Sequence, residues 1–240
     1  MSSQRLDKII SSQTSLSRKD AVRKIKDGCL SLNGEIVLSA DTKADPEIDE
    51  IVFCGERLSY SEHIYIMMNK PKGVVSASTD RRVKTVVDLV PEHLRRASLF
   101  PAGRLDKDTT GFVLITDDGE FAHNILSPKK HIFKTYEAKL SSPISDENIK
   151  KLENGIILND GTRLKECFIR VLNDSRTEIE IKICEGKYHQ IKRMLFAVDN
   201  SVEELKRTAL GNLTIDKSLK NGECRLINGE ELKLISDFDE

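Results

Sequence analysis

Tryptophan is absent from this 240-residue chain, aromatic residues make up only 5% of it, and cysteine occurs five times. The cysteines are odd in number and widely spaced along the chain, which argues against a disulfide framework and against a structural zinc site. No apolar run reaches the roughly eighteen residues that a membrane span needs, and the polar start MSSQRLDKII is not a secretory signal. We therefore expect free thiols, no bound metal, no membrane association and a cytoplasmic location.

Net charge is also small, because 38 Lys and Arg residues are balanced by 39 Asp and Glu residues. The charges are not evenly distributed. Residues 1–28 carry seven Lys or Arg against three Asp, whereas residues 41–50 carry five acids against one Lys. Local basic patches, rather than the total charge, are what bind phosphates. The length of the chain makes two unequal domains the reasonable expectation.

The first sixty residues have the pattern of two short helices followed by a hairpin. Apolar residues recur at helical spacing between Leu6 and Ile10. The stretch SLSRKDAVRKIKDG then has Ser17 as a helix N-cap and Gly28 as a left-handed end. The next stretch, LSLNGEIVL, alternates on both sides of Asn33-Gly34, the strongest short hairpin signal. We predict a compact αα-β domain over residues 1–59. Taken by itself, the charge of its basic helix would indicate only an ordinary solvent-exposed surface.

The remainder, residues 60–240, is richer in strands than in helices. Alternating and β-branched segments predict strands, and segments with a period of 3.6 residues predict helices. The irregular mixture indicates an α+β domain with a mixed or largely antiparallel sheet. The predicted strands are 63–69, 111–116, 133–140, 166–172 and 177–184, and the predicted helices are 118–126, 145–155 and 187–198.

The most informative short segment is GRLDKDTTG, residues 103–111, in which Asp106 and Asp108 lie two residues apart. Their spacing with Thr110 and Asp117 imitates an EF-hand calcium loop. That reading fails because the flanking FVLIT has the pattern of a strand where an EF-hand needs a helix. Three interpretations of the two acids stay open. Both could form Asx-type turns, they could work as a general acid with a general base, or they could have unequal roles.

Several segments resemble known families. RLDKII, SRKDAVRKIKDG and LNGEIV resemble the S4 domain, a small RNA-binding module. GRLDKDTTGFVLITDDG resembles the catalytic motif of the pseudouridine synthases that modify ribosomal RNA, in the branch fused to an S4 domain. MNKPKG, KTYEAKL, EGKYHQIKRML and LKRTALG match the same family in the same order, and the joint pattern is specific. It is most similar to the enzymes that act on small-subunit (16S) rRNA.

The resemblance implies an isomerase that converts one uridine of 16S rRNA to pseudouridine, on naked RNA or in an assembling subunit. It further implies a monomer that needs no cofactor, since the reaction moves the uracil from N1 to C5 attachment without redox change. The target nucleotide must be flipped out of its stack to react. The alternatives are the same reaction on 23S rRNA, an inactive S4-type rRNA-binding assembly factor, and a glycosidase-like hydrolase with paired acids.

The resemblance also implies roles for three catalytic residues. Asp106 matches the essential aspartate nucleophile, and Tyr136 matches a tyrosine that packs under the base and is thought to assist proton transfer. Lys192 matches a basic residue that pairs with the catalytic carboxylate. A carboxylate acts as a nucleophile only while ionised, and a nearby cation keeps it so. Lys192 or, in its place, Arg193 is the expected source of that charge.

The remaining implied residues surround the reaction rather than perform it. Arg104 matches an arginine that enters the space left by the flipped base, and Arg suits this place because its planar cation stacks and hydrogen-bonds together. Asp108 and Thr109 become residues that shape the loop. His189 is interpreted as a hydrogen-bonding or RNA-facing residue. Further predicted RNA contacts are Arg5, Lys8, Arg18, Lys19, Lys70, Gln190 and Arg193.

Overall fold

The computed structural model describes residues 3–127 and 130–236, and these residues form two compact units. The first unit runs to Ile64 and also includes Val90–Phe100. The second unit comprises Tyr65–Leu89 and the chain from Pro101 onward. Each unit has its own sheet, so the chain has the α+β character that the sequence predicts. No helix within the described residues is both long and apolar enough to cross a membrane.

The segment Val90–Phe100 packs with the first unit, although it lies within the predicted second domain. The Arg96 guanidinium donates to the side-chain oxygen of Gln13 at 2.8 Å, and the Ala97 amide donates to the Thr14 carbonyl at 3.0 Å. These contacts join residues more than eighty positions apart in sequence. Because these contacts join distant parts of the chain, a single domain boundary after residue 59 could not assign Val90–Phe100 to the first unit.

The first unit consists of two helices over short antiparallel strands. Ser17 caps the second helix by accepting a hydrogen bond from the Asp20 amide, as the sequence predicts. Asn33 and Gly34 both have positive φ, which matches the type I′ turn of the predicted hairpin. The elements are α1 (Leu6–Gln13), α2 (Arg18–Lys26), β1 (Gln4–Arg5), β2 (Leu30–Leu32), β3 (Glu35–Ile36), β4 (Lys43–Ala44), β5 (Ile51–Phe53) and β6 (Glu56–Arg57).

The core of this unit is formed by the apolar faces of both helices against the strands. The sheet has the order β3-β2-β5-β6, and β1 pairs separately with β4. Helical spacing places the apolar residues of α1 on one side and exposes Lys8, whereas Asp7 is buried. The buried core residues are Leu6, Ile9, Ile10, Ala21, Ile25, Leu30, Ala40, Ala44, Ile51 and Phe53.

The second unit is built on one large mixed sheet. Its strands have the order β11-β12-β10-β13-β9-β7-β15, while β8 pairs with β9 and β14 with β13. The strands are β7 (Tyr65–Lys70), β8 (Phe100–Ala102), β9 (Thr110–Thr116), β10 (Lys134–Leu140), β11 (Cys167–Val171), β12 (Glu178–Ile183), β13 (Val202–Leu210), β14 (Leu213–Thr214) and β15 (Cys224–Leu226), and the helices are α3 (Gly119–Leu126), α4 (Asp146–Glu153), α5 (Gln190–Phe196) and α6 (Gly229–Ser236).

The five predicted strands of this unit correspond to β7, β9, β10, β11 and β12, each within two residues of its predicted ends. Helix α5 begins three residues later than predicted, because His189 has a left-handed conformation with φ 48°. The sequence analysis missed β13, which lies in the centre of the sheet. Its sequence VEELKRTAL alternates weakly because a charged residue, Arg207, occupies one of its buried positions.

The parallel contact between β9 and β13 positions the loop that precedes β9. Gly111 pairs with Arg207 in this contact. A Cβ atom at residue 111 would lie 2.2 Å from the Arg207 carbonyl oxygen, and the residue has φ +97°. Only glycine therefore permits the two strands to approach so closely here. This approach brings residues 103–109 beside the side chains of β13.

Candidate active site

The loop between β8 and β9 carries the two acids of the GRLDKDTTG segment. Asp106 opens a turn in which its carbonyl accepts from the Thr109 amide at 3.1 Å. The side chain of Asp106 is 27% exposed, whereas that of Asp108 is 57% exposed. The turn therefore directs the two carboxylates into different surroundings.

Lys70 supports the loop from beneath. Its ammonium donates to the carbonyl of Thr109 at 2.7 Å and to that of Lys107 at 3.3 Å. Burial lowers the pKa of Lys70 to about 8, although the charges of Asp108 and Asp106 act in the opposite direction. Lys70 was predicted to contact RNA, but its side chain is fully buried and donates to backbone carbonyls, which gives it a supporting position in the loop.

A second set of bonds holds the front of the loop. The Leu105 amide donates to the Ser76 hydroxyl at 3.0 Å, and that hydroxyl donates to the Leu105 carbonyl at 3.1 Å. The Gly73 amide donates to the Lys107 carbonyl at 2.8 Å. The MNKPKG segment and the residues after it therefore act as a platform for the backbone on both sides of Asp106.

Lys192, from helix α5, lies between the two acids. Its Nζ atom is 2.7 and 2.8 Å from the two Asp108 carboxylate oxygens and 3.4 Å from Asp106 Oδ2. Burial acts to lower the pKa of Lys192, but its hydrogen bond to Asp108 and the charge of Asp106 outweigh burial and raise it. The hydrogen bond from Lys192 lowers the pKa of Asp108. Lys192 is thus a permanent cation shared unequally by the two acids.

The two acids face different cavities. Asp106 lines a small cavity of about 60 Å³ together with Arg104, Tyr136 and Lys192. Asp108 lines a separate, larger groove of about 480 Å³. Asp108, which has the closer ion pair with Lys192, thus lies outside the small cavity. Asp106 lies inside it and has the longer contact with Lys192.

Tyr136 and Arg104 complete the cavity. Tyr136 lies on β10 and is nearly buried, and the exposed Arg104 lies two residues before Asp106. Ile183 and Leu205 supply apolar walls from the neighbouring strands. The structure therefore brings together Asp106, Tyr136, Lys192 and Arg104, which the sequence analysis singled out from segments up to 88 positions apart.

His189 also lines the cavity, with its Nε2 atom 3.6 Å from Asp106 Oδ1. The next residue, Gln190, was predicted to contact RNA, but its side chain is buried and bonded within the protein. Its amide nitrogen donates to Glu185 Oε1 at 2.9 Å, and its amide oxygen accepts from the Lys187 backbone at 2.9 Å. Gln190 thus holds the turn that presents His189.

Arg193 points away from Asp106 and forms an ion pair with Asp160. Of these two neighbouring cations, Lys192 is therefore the one that contacts Asp106. In the first unit, Arg5 and Arg18 are exposed and both hydrogen-bond to the buried Asp7. Lys8 and Lys19 are exposed as well, so all four predicted RNA contacts of this unit face solvent.

Two further residues were not identified from the sequence. Glu185 is buried and accepts from the Lys165 amide at 2.9 Å as well as from Gln190. Arg207 is buried opposite Tyr136 in the β10–β13 pairing, and its Nε donates to the Phe112 carbonyl at 2.6 Å. Both lie in segments that matched the family pattern, EGKYHQIKRML and LKRTALG, and that match was the available signal.

Comparison with known proteins agrees with this site. Residues 64–197 match the family model described as RNA pseudouridylate synthase. The chain is 45% identical over 235 residues to "Uncharacterized RNA pseudouridine synthase YtzG" of Bacillus subtilis (strain 168), covering 97% of this chain and 98% of that protein. It is 40% identical over 230 residues to "Ribosomal small subunit pseudouridine synthase A" of Escherichia coli (strain K12), covering 95% and 98%.

A solved structure titled "Crystal structure of pseudouridylate synthase" is 38% identical to the chain, with a TM-score of 0.68. The alignment covers 97% of this chain and 99% of that one. Both units of the chain therefore have counterparts in that structure. The family match includes the GRLDKDTTG loop, Tyr136 and Lys192. The chain belongs to the RNA pseudouridine synthase family of isomerases.

Proposed function

We propose that this protein converts a specific uridine of small-subunit (16S) rRNA to pseudouridine, with Asp106 as nucleophile on a flipped-out nucleotide. The observation that carries the proposal is the unequal environment of the two acids. Asp106 faces the cavity lined by Tyr136, while Asp108 takes the close ion pair with Lys192. A nucleophile needs an accessible carboxylate, and Asp106 is the acid that has one inside the cavity.

The reaction breaks the bond between uracil N1 and ribose C1′ and forms a bond between C5 and C1′. C5 loses its proton and N1 gains one, so that the product is an isomer of the substrate. An ionised carboxylate can add at C1′ or at C6 of the base, and each route needs the same negative charge. Lys192 supports that charge at 3.4 Å, because its own pKa is raised and it stays protonated at neutral pH. The same residues therefore serve either route.

The other cavity residues suit a nucleotide that has left its stack. Tyr136 offers an aromatic surface and one hydroxyl next to Asp106. Arg104 is exposed at the rim, where a planar cation can stack into the space that the base leaves. We assign Tyr136 to holding the base and assisting proton transfer, and Arg104 to the vacated position in the RNA.

Ribosomal RNA of the small subunit is the substrate class favoured by the relatives. The Escherichia coli relative is named for the ribosomal small subunit, and the similarity extends over 95% of this chain. In the first unit, which resembles an S4 domain, four exposed cations offer a salt-sensitive contact to RNA phosphates. These cations are Arg5, Lys8, Arg18 and Lys19.

The test compares wild type, Asp106→Asn and Asp108→Asn on naked 16S rRNA, on partly assembled small subunits and on 23S rRNA, with pseudouridine mapped chemically. We expect modification of 16S rRNA at one uridine and a loss of more than about 10³-fold in Asp106→Asn. Asp108→Asn should keep activity within about tenfold of wild type, because it loses one charge-assisted hydrogen bond rather than the nucleophile.

Asp160→Asn is the matched control, since Asp160 also pairs with a cation of helix α5 but lies outside the cavity. Wild-type activity in Asp106→Asn would refute the nucleophile. Equal losses in the two loop variants, with release of free uracil, would instead support paired acids and hydrolysis. Modification confined to 23S rRNA would correct the substrate class.

A further inference from the structure

Tyr188 and His189 form an aromatic pair beside the cavity. Their ring centroids are 3.9 Å apart with an interplanar angle of 17°, which is a stacked arrangement. Tyr188 is 76% exposed, so one face of its ring covers His189 and the other faces solvent. An aromatic ring this exposed contributes little to the core, and its position next to a functional cavity calls for another role.

The backbone holds this pair in place. His189 adopts a left-handed conformation that non-glycine residues seldom use, and the turn is closed by a hydrogen bond from the Gln190 amide to the Lys187 carbonyl at 3.1 Å. The buried side chain of Gln190 bonds both to Glu185 and to the Lys187 amide. Since His189 Nε2 lies 3.6 Å from Asp106, this turn fixes the ring pair relative to the nucleophile.

We propose that the Tyr188–His189 pair is a stacking platform for an unpaired RNA base that neighbours the target uridine. The inference rests on the proposed function, since it takes RNA as the substrate. Aromatic rings stack any base because every base has a π-face, and nearby cations then bind the flanking phosphates. The cations nearest to this pair in sequence, Lys187, Lys192 and Arg193, each pair with an acid of the second unit. The exposed Arg104 lines the same cavity as His189 and offers a cation to a flanking phosphate, which favours a nucleic acid over a purely apolar partner.

The test measures the affinity of the full-length protein for a short fluorescent oligouridine in wild type, Tyr188→Ala, Tyr188→Leu and Tyr188→Phe. We expect about tenfold weaker binding in the Ala and Leu variants, because each loses the π-face. The Phe variant keeps the ring and should remain within about twofold of wild type. The Leu variant separates stacking from plain apolar contact.

Phe196→Ala is the matched control, because Phe196 is an aromatic residue of similar exposure, 68%, at the opposite end of helix α5 from the Tyr188–His189 pair. It should bind oligouridine within about twofold of wild type. Equal affinities in Tyr188→Leu and Phe196→Ala would overturn the platform and leave Tyr188 as a surface for another partner. Thermal unfolding of each variant checks that the fold is retained.

A second measurement follows pseudouridine formation on 16S rRNA as a function of RNA concentration. Tyr188→Leu should raise the half-saturating RNA concentration about tenfold and change the rate at saturation less. If wild type formed no pseudouridine, the proposed function would fail, while the oligouridine affinities would still decide on the platform. If wild type were active and the Leu variant equally so at every RNA concentration, the platform alone would fail.

Discussion

The two units of this protein combine carboxylates and long cations in opposite proportions. In the first unit one acid, Asp7, hydrogen-bonds to two arginines, Arg5 and Arg18. In the second unit one lysine, Lys192, contacts two acids, Asp106 and Asp108. The first cluster therefore has an excess of one positive charge and the second an excess of one negative charge.

The clusters also differ in which partner is buried. The Asp7 side chain is 4% exposed while both arginines are about half exposed, so the cluster presents guanidinium groups to solvent. Lys192 is 25% exposed and lies between its acids, of which Asp106 is 27% and Asp108 57% exposed. In each cluster the shared residue, Asp7 or Lys192, orients the two residues that it contacts. The first arrangement suits phosphate binding and the second suits a nucleophile.

Removing the organising cation of the second cluster should have the largest effect. Lys192→Met leaves two carboxylates in one loop without their common partner, and we expect pseudouridine formation about 100-fold slower. Lys192→Arg should recover most of the rate because it restores the charge. Arg193→Met is the control, as Arg193 pairs with Asp160 instead. Equal rates in the two methionine variants would show that the shared cation has no role in the reaction.

Removing the exposed cations of the first cluster should have a smaller effect, on binding rather than on chemistry. For Arg5→Gln with Arg18→Gln we expect about tenfold weaker binding to 16S rRNA at about 0.1 M salt. The slope of log affinity against log salt should decrease by about 2, one for each phosphate contact. Filter binding over a salt series measures both.

Arg23→Gln with Arg57→Gln is the matched control for that experiment. These two arginines lie in the same unit, are more exposed than Arg5 and Arg18, and contact other acids. The charge removed is the same, so a general field effect would weaken binding equally in both double variants. Equal salt slopes would therefore show that the Asp7 cluster has no special place in RNA binding.

Local sequence signals predicted much of this fold. Ser17 and the Asn33-Gly34 turn act through hydrogen bonds and φ angles within a few residues, and β12 alternates almost perfectly. Strand β13 has no comparable local signal, because its place in the sheet depends on pairing with β10 and β9. Its burial follows from those distant partners.

The candidate site could be predicted in its members but not in its contacts. Asp106, Tyr136 and Lys192 were found from the family pattern, and the structure brings them to one cavity. The burial of Lys70 was not predictable, since its bonds go to backbone carbonyls of residues 107 and 109 rather than to a side chain with a recognisable type. Nor does a sequence indicate which of two acids a lysine approaches more closely.

The smallest expected effect concerns the organising acid of the first cluster. Burial acts to raise the pKa of Asp7, but hydrogen bonds from Arg5 and Arg18 outweigh it, so the pKa is lowered in the folded state. A carboxyl with a lowered folded pKa stabilises the fold above its unfolded pKa, and this stabilisation is lost as the pH falls through the folded value. We expect Asp7→Asn to lower the free energy of unfolding by about 1 kcal/mol at neutral pH.

The difference between wild type and Asp7→Asn should shrink as the pH falls below about 4, where the unfolded chain begins to take up the proton. Urea unfolding at a series of pH values measures it. Asp20→Asn is the control, because Asp20 contacts Arg23 at the surface and its loss should change stability by less. A difference that stayed constant down to about pH 2 would assign the effect to packing of the side chain. The two clusters would then differ only in composition, and not in having a buried charge that orients the exposed ones.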